Sequence, residues 1–158
     1  MQLKQWMKTA IFSATVSVLL TLAACMTMPD YGAKRIARDK VILAAHDSLG
    51  IPYRFGGDSP KRGFDCSGLT HYAYQTSGID IPRTAYEQYR HRQRVSDMNL
   101  RPGDLVFFKK WFHKVSHVGI YLGHGKFAHS PNKGKTVRIS NLNDRYWKKR
   151  YAGAGNYF

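Results

Sequence analysis

Gly63-Phe64-Asp65-Cys66-Ser67-Gly68 follows a paired-glycine turn at Gly56-Gly57 and opens a segment with helical periodicity. Asp65 is a residue type that caps a helix through its side-chain oxygen. Cys66 is therefore expected in the first helical turn, where backbone N–H groups lack intrahelical partners and favour negative charge. A thiol there loses its proton more readily, and the thiolate is the reactive species. A small buried cysteine at the start of a core helix is the plainer alternative. The helix terminus alone contributes about 0.3–1 kcal/mol, up to roughly 2 in favourable cases. At 1.36 kcal/mol per unit that moves a thiol near 8.5 by only about one unit. A histidine partner can take such a thiol to about 3–4, so a reactive Cys66 requires a histidine.

On the N-terminal side, Ile36 to Leu49 carries Ile36, Val41, Ala44, Ala45 and Leu49 on a broad apolar face, and Gly50 is placed to end a helix. His46 in that segment reads as a surface or internally satisfied histidine. Pro52 and the paired glycines then break the helix. On the C-terminal side, Leu69, Tyr72 and Ala73 share one side of a helix from Cys66 to about Thr76, closed by Gly78. Ile81-Pro82-Arg83 is extended, and Thr84-x-x-Glu87 matches a capping box for a short polar helix. The period then changes. Arg101-Pro102-Gly103-Asp104 is a turn, Leu105 to Phe108 a short apolar strand, and Ser116 to Leu122 an alternating one. Gly123-His124-Gly125 turns the chain into Lys126 to Ser130, and Thr136 to Ser140 is a further strand. Tyr151 to Phe158 is a last one, weakened by its glycines. Helices first and hairpin-linked strands later indicate an α+β fold, with N-terminal helices packed on an antiparallel β-sheet.

The first residues have the layout of an export signal. Lys4 and Lys8 precede an uncharged apolar run from Ile11 to Ala24, and small residues lead to Cys25. The run is shorter than the roughly 20 residues that span a bilayer as a helix. Leu22-Ala23-Ala24-Cys25 resembles a bacterial lipobox, in which the Cys25 thiol is acylated and becomes the first residue of the mature chain. An ordinary signal with a chance cysteine is the alternative. The expected organisation is a signal peptide over 1–24, a lipidated tether over 25–35 and one folded domain over 36–158. Met26, in place of Asp, favours the outer membrane by resemblance to enterobacterial sorting rules. The domain is thus expected on the periplasmic side of a bacterial membrane, held by lipid on Cys25; stable anchoring takes two such signals or several chains.

The chain has 2 cysteines. With Cys25 acylated, Cys66 has no intramolecular disulfide partner in an oxidising compartment. A thiol kept there is a liability that Ala or Ser would avoid, which favours a chemical role. Lys and Arg number 25 against 10 Asp and Glu, a formal charge of +15. Loss of Lys4 and Lys8 with the signal leaves about +13, which implies an anionic partner. The basic residues are scattered (Arg90, Arg92 and Arg94; Lys109, Lys110 and Lys114; Lys148, Lys149 and Arg150) and form no nucleic-acid module. Cell-wall peptide carboxylates and anionic headgroups are the nearer partners, and a solvated basic surface accounts for most of these side chains.

A nucleophilic Cys needs a base oriented by a third group. The histidines are His46, His71, His91, His113, His117, His124 and His129. Only His117 and His129 fall inside adjacent strands of one hairpin. Pairing around Gly123 to Gly125 puts Tyr121 near Lys126 and His117 near Ser130, with His129 on a neighbouring rung. A slip of one residue or a bulge changes the face that His129 occupies. A metal site is the rival use of these groups, but no Cys-x₂-Cys spacing supports it, and Cys66 with two distant histidines is a weak set of ligands.

Six ordered motifs complete the reading. They are Pro52-Tyr53-Arg54-Phe55-Gly56-Gly57, Phe64-Asp65-Cys66-Ser67-Gly68, Pro82-Arg83-Thr84, Pro102 to Phe108, His117-Val118-Gly119-Ile120-Tyr121 and Phe127-Ala128-His129-Ser130. With them the chain resembles the NlpC family of bacterial cell-wall cysteine peptidases, in the layout of the small Gram-negative murein endopeptidase lipoproteins. The resemblance covers about residues 36 to 158. It implies a papain-like fold with Cys66 as nucleophile, His117 as base and acid, and His129 orienting His117. It further implies that the Tyr53 hydroxyl lies beside the nucleophile near the oxyanion site, and that Asp65, Ser67 and Arg83 line the substrate cleft. For Tyr53 the alternative is aromatic packing, for Asp65 a pure helix cap, and for Arg83 support of its loop. The implied activity is hydrolysis of peptide bonds in peptidoglycan stem peptides or cross-links by a monomeric enzyme with neither metal nor cofactor. A non-catalytic wall-binding lipoprotein, or an amidase or acyltransferase on the same fold, is the alternative. The basic and aromatic loop from Lys109 to Val115, with Trp111, Phe112 and His113, departs from the family pattern and is expected to form a cleft rim.

Overall fold

The computed structural model describes residues 30–109 and 114–158. The expected signal peptide, Cys25 and the first part of the tether lie outside the described residues, as do Lys110, Trp111, Phe112 and His113. The chain divides into two units, residues 1–35 and 36–158, and the second carries the sheet and the site.

Helix α1 (Asp30–Asp47) begins ahead of Ile36, so the described part of the expected tether is helical. Its inward stripe also differs from the expected one. Val41, Ala44 and Ala45 are buried, whereas Ile36 and Leu49 are 59% and 37% exposed. Arg38 takes the inward position one turn before Val41. Its guanidinium meets Asp104 Oδ1 at 2.6 Å and lies over the Phe158 ring. Asp104 is fully buried and also accepts from Asn156 Nδ2 at 3.1 Å and from the Arg101 N–H at 2.9 Å. The carboxylate thus ties helix, turn and last strand together, with both of its buried oxygens engaged.

Two short antiparallel strands, β1 (Asp58–Ser59) and β2 (Gly63–Phe64), lead into helix α2 (Cys66–Thr76). Helix α3 (Ala85–His91) follows. Its Thr84 cap accepts the Glu87 N–H at 3.3 Å, as the capping box predicts. Strands β3 (Gln93–Val95), β4 (Leu105–Lys109), β5 (Val115–Gly123), β6 (Lys126–His129), β7 (Arg138–Asn141) and β8 (Tyr151–Asn156) form one antiparallel sheet in the order β3-β8-β4-β5-β6-β7. A short helix, α4 (Arg145–Lys148), sits between β7 and β8. This is the expected α+β class. The pair β1 and β2, strand β3 and α4 were not anticipated, because two to four residues carry too little periodicity to register.

Strand β4 lies in the middle of the sheet, and its uninterrupted Leu105-Val106-Phe107-Phe108 run reflects burial on both faces. Leu105 and Phe107 pack with Val41, Leu69, Ala73, Val118 and Ile120 on the helix side. Val106 and Phe108 pack with Phe127, Trp147 and Ala154 on the other. At roughly 1.5–3 kcal/mol for each large side chain removed from water, these two layers fix the strands on which the histidines stand.

The β5–β6 register corrects the expected pairing. Tyr121 pairs with Phe127 and Ile120 with Ala128, while Gly123 pairs with Lys126. The shift between Tyr121 and Gly123 leaves Leu122 as an extra residue, a bulge beside the turn. The expected register would set His129 opposite Val118, on the face away from His117. The bulge moves it by one residue and so returns it to the face of His117.

Candidate active site

Cys66 opens α2, and a dense polar network builds the ground beneath it. Asp65 adopts the extended cap geometry (φ −86°, ψ 178°), and its Oδ1 accepts the Gly68 N–H at 2.7 Å. Its Oδ2 accepts the Gly56 N–H at 2.9 Å. Arg83 grips both carboxylate oxygens, Nη1 to Oδ1 at 3.0 Å and Nη2 to Oδ2 at 2.9 Å, in the bidentate form that suits a guanidinium. Its remaining contacts reach Ser67 Oγ at 3.1 Å and the Gly57 carbonyl at 3.1 Å. Burial pulls the Asp65 carboxyl upward. The Arg83 hydrogen bonds and charge, with the Gly68 and Gly56 N–H groups, outweigh it and hold the pKa below the usual value. In return, the Asp65 hydrogen bond holds Arg83 above its ordinary range against burial, with the charges of Asp65, Asp58 and Cys66 adding to it.

Gly68 makes this closeness feasible. A Cβ there would lie 2.0 Å from the Gly57 carbonyl oxygen and 3.0 Å from Arg83 Nη2. Any side chain would push the Gly57 loop off the start of α2.

Tyr53 stands on the facing segment. Burial, then the negative charges of Cys66 and Asp65, raise its pKa. The phenol therefore remains a donor at neutral pH. Tyr53, Asp65, Cys66, Ser67 and Arg83 share a cleft of about 540 Å³, closed on its far wall by Ser116. Arg83 and Asp65 spend most of their hydrogen-bonding capacity on each other and on the α2 cap. Their position in the cleft is therefore joined to a structural role that the sequence left as the alternative.

The histidine side is built from β5, β6 and aromatic rings. Cys66 Sγ lies 4.0 Å from the carbonyl oxygen of Ser116, the residue before His117. His117 and His129 are 1% and 0% exposed, and His117 Nε2 stands 3.0 Å from His129 Nδ1. His129 Nε2 stands 3.0 Å from Ser140 Oγ on β7. Trp147 of α4 stacks on His117 (5.4 Å, 21°) and meets His129 edge-on (4.9 Å, 78°). Phe108 and Phe127 close the remaining sides. Gly119 leaves room for this arrangement, since a Cβ there would come within 2.6 Å of the Phe127 ring and 3.2 Å of His129 Cβ.

Ser140, Trp147 and the part Gly119 plays escaped the reading of the sequence, which named a bulge in this hairpin without placing it. Ser140 fell at the end of an expected strand without a role. Trp147 lies in a basic run whose charge concealed its burial. His46 and His124 are exposed, and His71 and His91 pair with Asp80 and Glu87 away from the cleft. Among the described residues no group of three or more His, Cys, Asp or Glu is arranged to hold a metal ion.

The model of the NlpC/P60 family matches residues 50–156, which contain Tyr53, Cys66, Arg83, His117 and His129. This chain belongs to the NlpC/P60 family. Murein DD-endopeptidase MepH of Escherichia coli K12 is 44% identical over 126 residues, covering 77% of this chain and 45% of that protein. The gamma-DL-glutamyl hydrolase of Bacillus subtilis 168 is 41% identical over 130 residues, covering 77% of this chain and 31% of that one. This chain thus spans less than half of these relatives. The crystal structure of an NlpC/P60 family protein from Bacillus cereus superposes with a TM-score of 0.72 at 40% identity, over 76% of this chain and 40% of the other. The shared fold is the papain-like α+β arrangement.

Proposed function

We propose that this NlpC/P60 protein is a murein endopeptidase whose nucleophile is Cys66. The observation that carries the reading is the joint placement of the thiol and the histidine pair. Cys66 lies at the start of α2, 4.0 Å from the backbone of Ser116, and the next residue begins the His117–His129 pair at 3.0 Å. The relatives named murein DD-endopeptidase MepH and gamma-DL-glutamyl hydrolase support it.

In this mechanism the Cys66 thiolate attacks the carbonyl carbon of a stem or cross-link peptide bond. The S–C bond forms as the C=O π pair moves onto oxygen. The first-turn N–H groups of α2, with the Tyr53 hydroxyl beside them, stabilise that oxyanion. Collapse breaks the C–N bond, and His117 protonates the leaving amine through Nδ1, because Nε2 faces His129. A water then gives its proton back to His117 and attacks the thioester, releasing a carboxylate and restoring the thiolate. His129 holds the His117 ring in the orientation both steps use.

Anchoring belongs to the same proposal. The pattern from Lys4 to Cys25 supports a lipid on Cys25, and Met26 after it supports a position on the periplasmic side of the outer membrane. The monomeric state and the absence of a cofactor are parts of this reading too. A digest of purified peptidoglycan followed by mass spectrometry tests the activity. New muropeptide masses identify the bond, D-Ala to diaminopimelate or γ-D-Glu to diaminopimelate, and unchanged muropeptides favour a non-catalytic wall-binding role. A digest that yields only ligated or deamidated products would point to an acyltransferase or amidase on the same fold.

A further inference from the structure

His129 is fully buried, and both its ring nitrogens are engaged, Nδ1 with His117 Nε2 and Nε2 with Ser140 Oγ. Ser140 pairs with Phe127 across the β6–β7 ladder, which sets its side chain on the same face as His129. Beyond it opens a second cavity of about 680 Å³, bordered by Lys126, Arg138, Asp144 and Trp147. We propose that Ser140 is a positioning residue of the catalytic relay. Its hydroxyl oxygen accepts the His129 Nε2–H and so holds His129 in the one tautomer that supports a protonated His117. The inference rests on the reading of Cys66 as nucleophile and His117 as its base.

The argument follows the protons. When His117 carries the thiol proton, both its ring nitrogens bear hydrogen. The Nε2–H then needs an acceptor, and His129 Nδ1 is the atom at 3.0 Å. Nδ1 accepts only if the His129 proton is on Nε2, and that buried N–H needs an acceptor of its own. Ser140 Oγ supplies it, with its own hydrogen turned to the open cavity. The reverse chain runs from the Ser140 O–H to His129 Nε2 and from His129 Nδ1–H to His117 Nε2. It leaves the single proton of neutral His117 on Nδ1, so the ring faces the thiol as a donor and cannot take its proton. A carboxylate or amide oxygen in place of His129 would accept without help. An imidazole is one donor and one acceptor, so something must choose which nitrogen is which. Ser140 makes that choice without touching substrate.

The test is the pH dependence of Cys66 alkylation by iodoacetamide, read by peptide mapping so that Cys25 does not contribute, between roughly pH 4 and 9. Full-length wild type, Ser140→Ala and Ser140→Thr are compared, with kcat and KM on peptidoglycan fragments. Tyr53, Asp65, Arg83 and Tyr86 on the cleft side and Lys126, Arg138, Asp144 and Tyr146 around the cavity are the titratable groups that border the relay among the described residues, and these substitutions leave all of them in place. Ser140→Ala should raise the thiolate midpoint by about one unit and lower kcat roughly tenfold with KM little changed, the size expected for one lost buried hydrogen bond. Ser140→Thr should restore both. A wild-type midpoint below that of an ordinary thiol that stays in place in Ser140→Ala overturns this inference and leaves the catalytic reading standing. A Ser140→Ala protein that melts earlier with an unmoved midpoint also overturns it, since that marks a purely structural role. A wild-type midpoint at the ordinary thiol value near 8.5 overturns the catalytic reading itself.

Discussion

Cys66 is held by polar groups and His117 by aromatic ones, and the two supports hold by different physics. Beneath Cys66, the Asp65 carboxylate takes N–H groups from Gly68 and Gly56 and the fork of Arg83, so the start of α2 is fixed by directional, charge-assisted bonds. Around His117, Trp147 and Phe108 fix the ring plane by contact, and His129 hydrogen-bonds its Nε2 edge. Cys66 is placed by a network that excess acid can titrate. His117 is placed mainly by aromatic packing, with the His129 imidazole on one edge. A site divided in this way should fail in two distinguishable manners, and substitutions on each side show which.

The largest effect is expected at His117. His117→Ala removes the proposed base and proton donor and should lower the rate by about 10³-fold or more while thermal unfolding stays cooperative. Activity within a few-fold of wild type would remove His117 from the mechanism. Trp147→Ala comes next. It takes away the surface on which both histidines rest and should cost about 3–5 kcal/mol of stability by denaturant titration. A loss below about 1 kcal/mol would mean that the aromatic side does not depend on packing. His129→Gln retains an acceptor oxygen for His117 but not the imidazole shape, so a roughly 10- to 100-fold lower rate is expected, with stability less affected.

Asp65→Asn probes the polar side through pH. Its folded pKa is depressed, so its stabilisation is present above the unfolded value and is lost as pH falls through the folded one. The variant should be about 1–2 kcal/mol less stable than wild type at neutral pH. The gap should close as the pH drops below the ordinary aspartate value of 3.8 toward the depressed folded one. A gap independent of pH would assign Asp65 a role other than its charge. The smallest effect belongs to His124→Gln, on an exposed turn at φ 51°. Less than about twofold change in rate is expected, since exposed positions away from a network contribute little. A loss as large as that of His129→Gln would show that the wrong histidine stands third.

The polar side was legible in the sequence because its signals are local. Asp65 caps three residues ahead, Gly56-Gly57 marks the turn and Thr84 marks the next helix, all within one or two turns of chain. The aromatic side was only half legible. Both histidines could be assigned to neighbouring strands, but their shared face depends on the Leu122 bulge, one residue that no alternation rule predicts. Trp147 reaches the site from a four-residue helix far along the chain, and Ser140 from the next strand. Arg38 was likewise hidden, because a cation facing inward is understandable only once the buried Asp104 is seen. Local chemistry is written in local sequence, whereas the pairing of strands is a property of the whole sheet.

The claim that joins both sides is that Cys66 cleaves peptidoglycan peptides with help from His117. The measurement that meets it most directly is the rate of muropeptide release from purified peptidoglycan by wild type and Cys66→Ala, side by side. Wild type should release cleaved peptides, and Cys66→Ala should be slower by at least about 10⁴-fold. Equal release by the two proteins, or none by either, would contradict it.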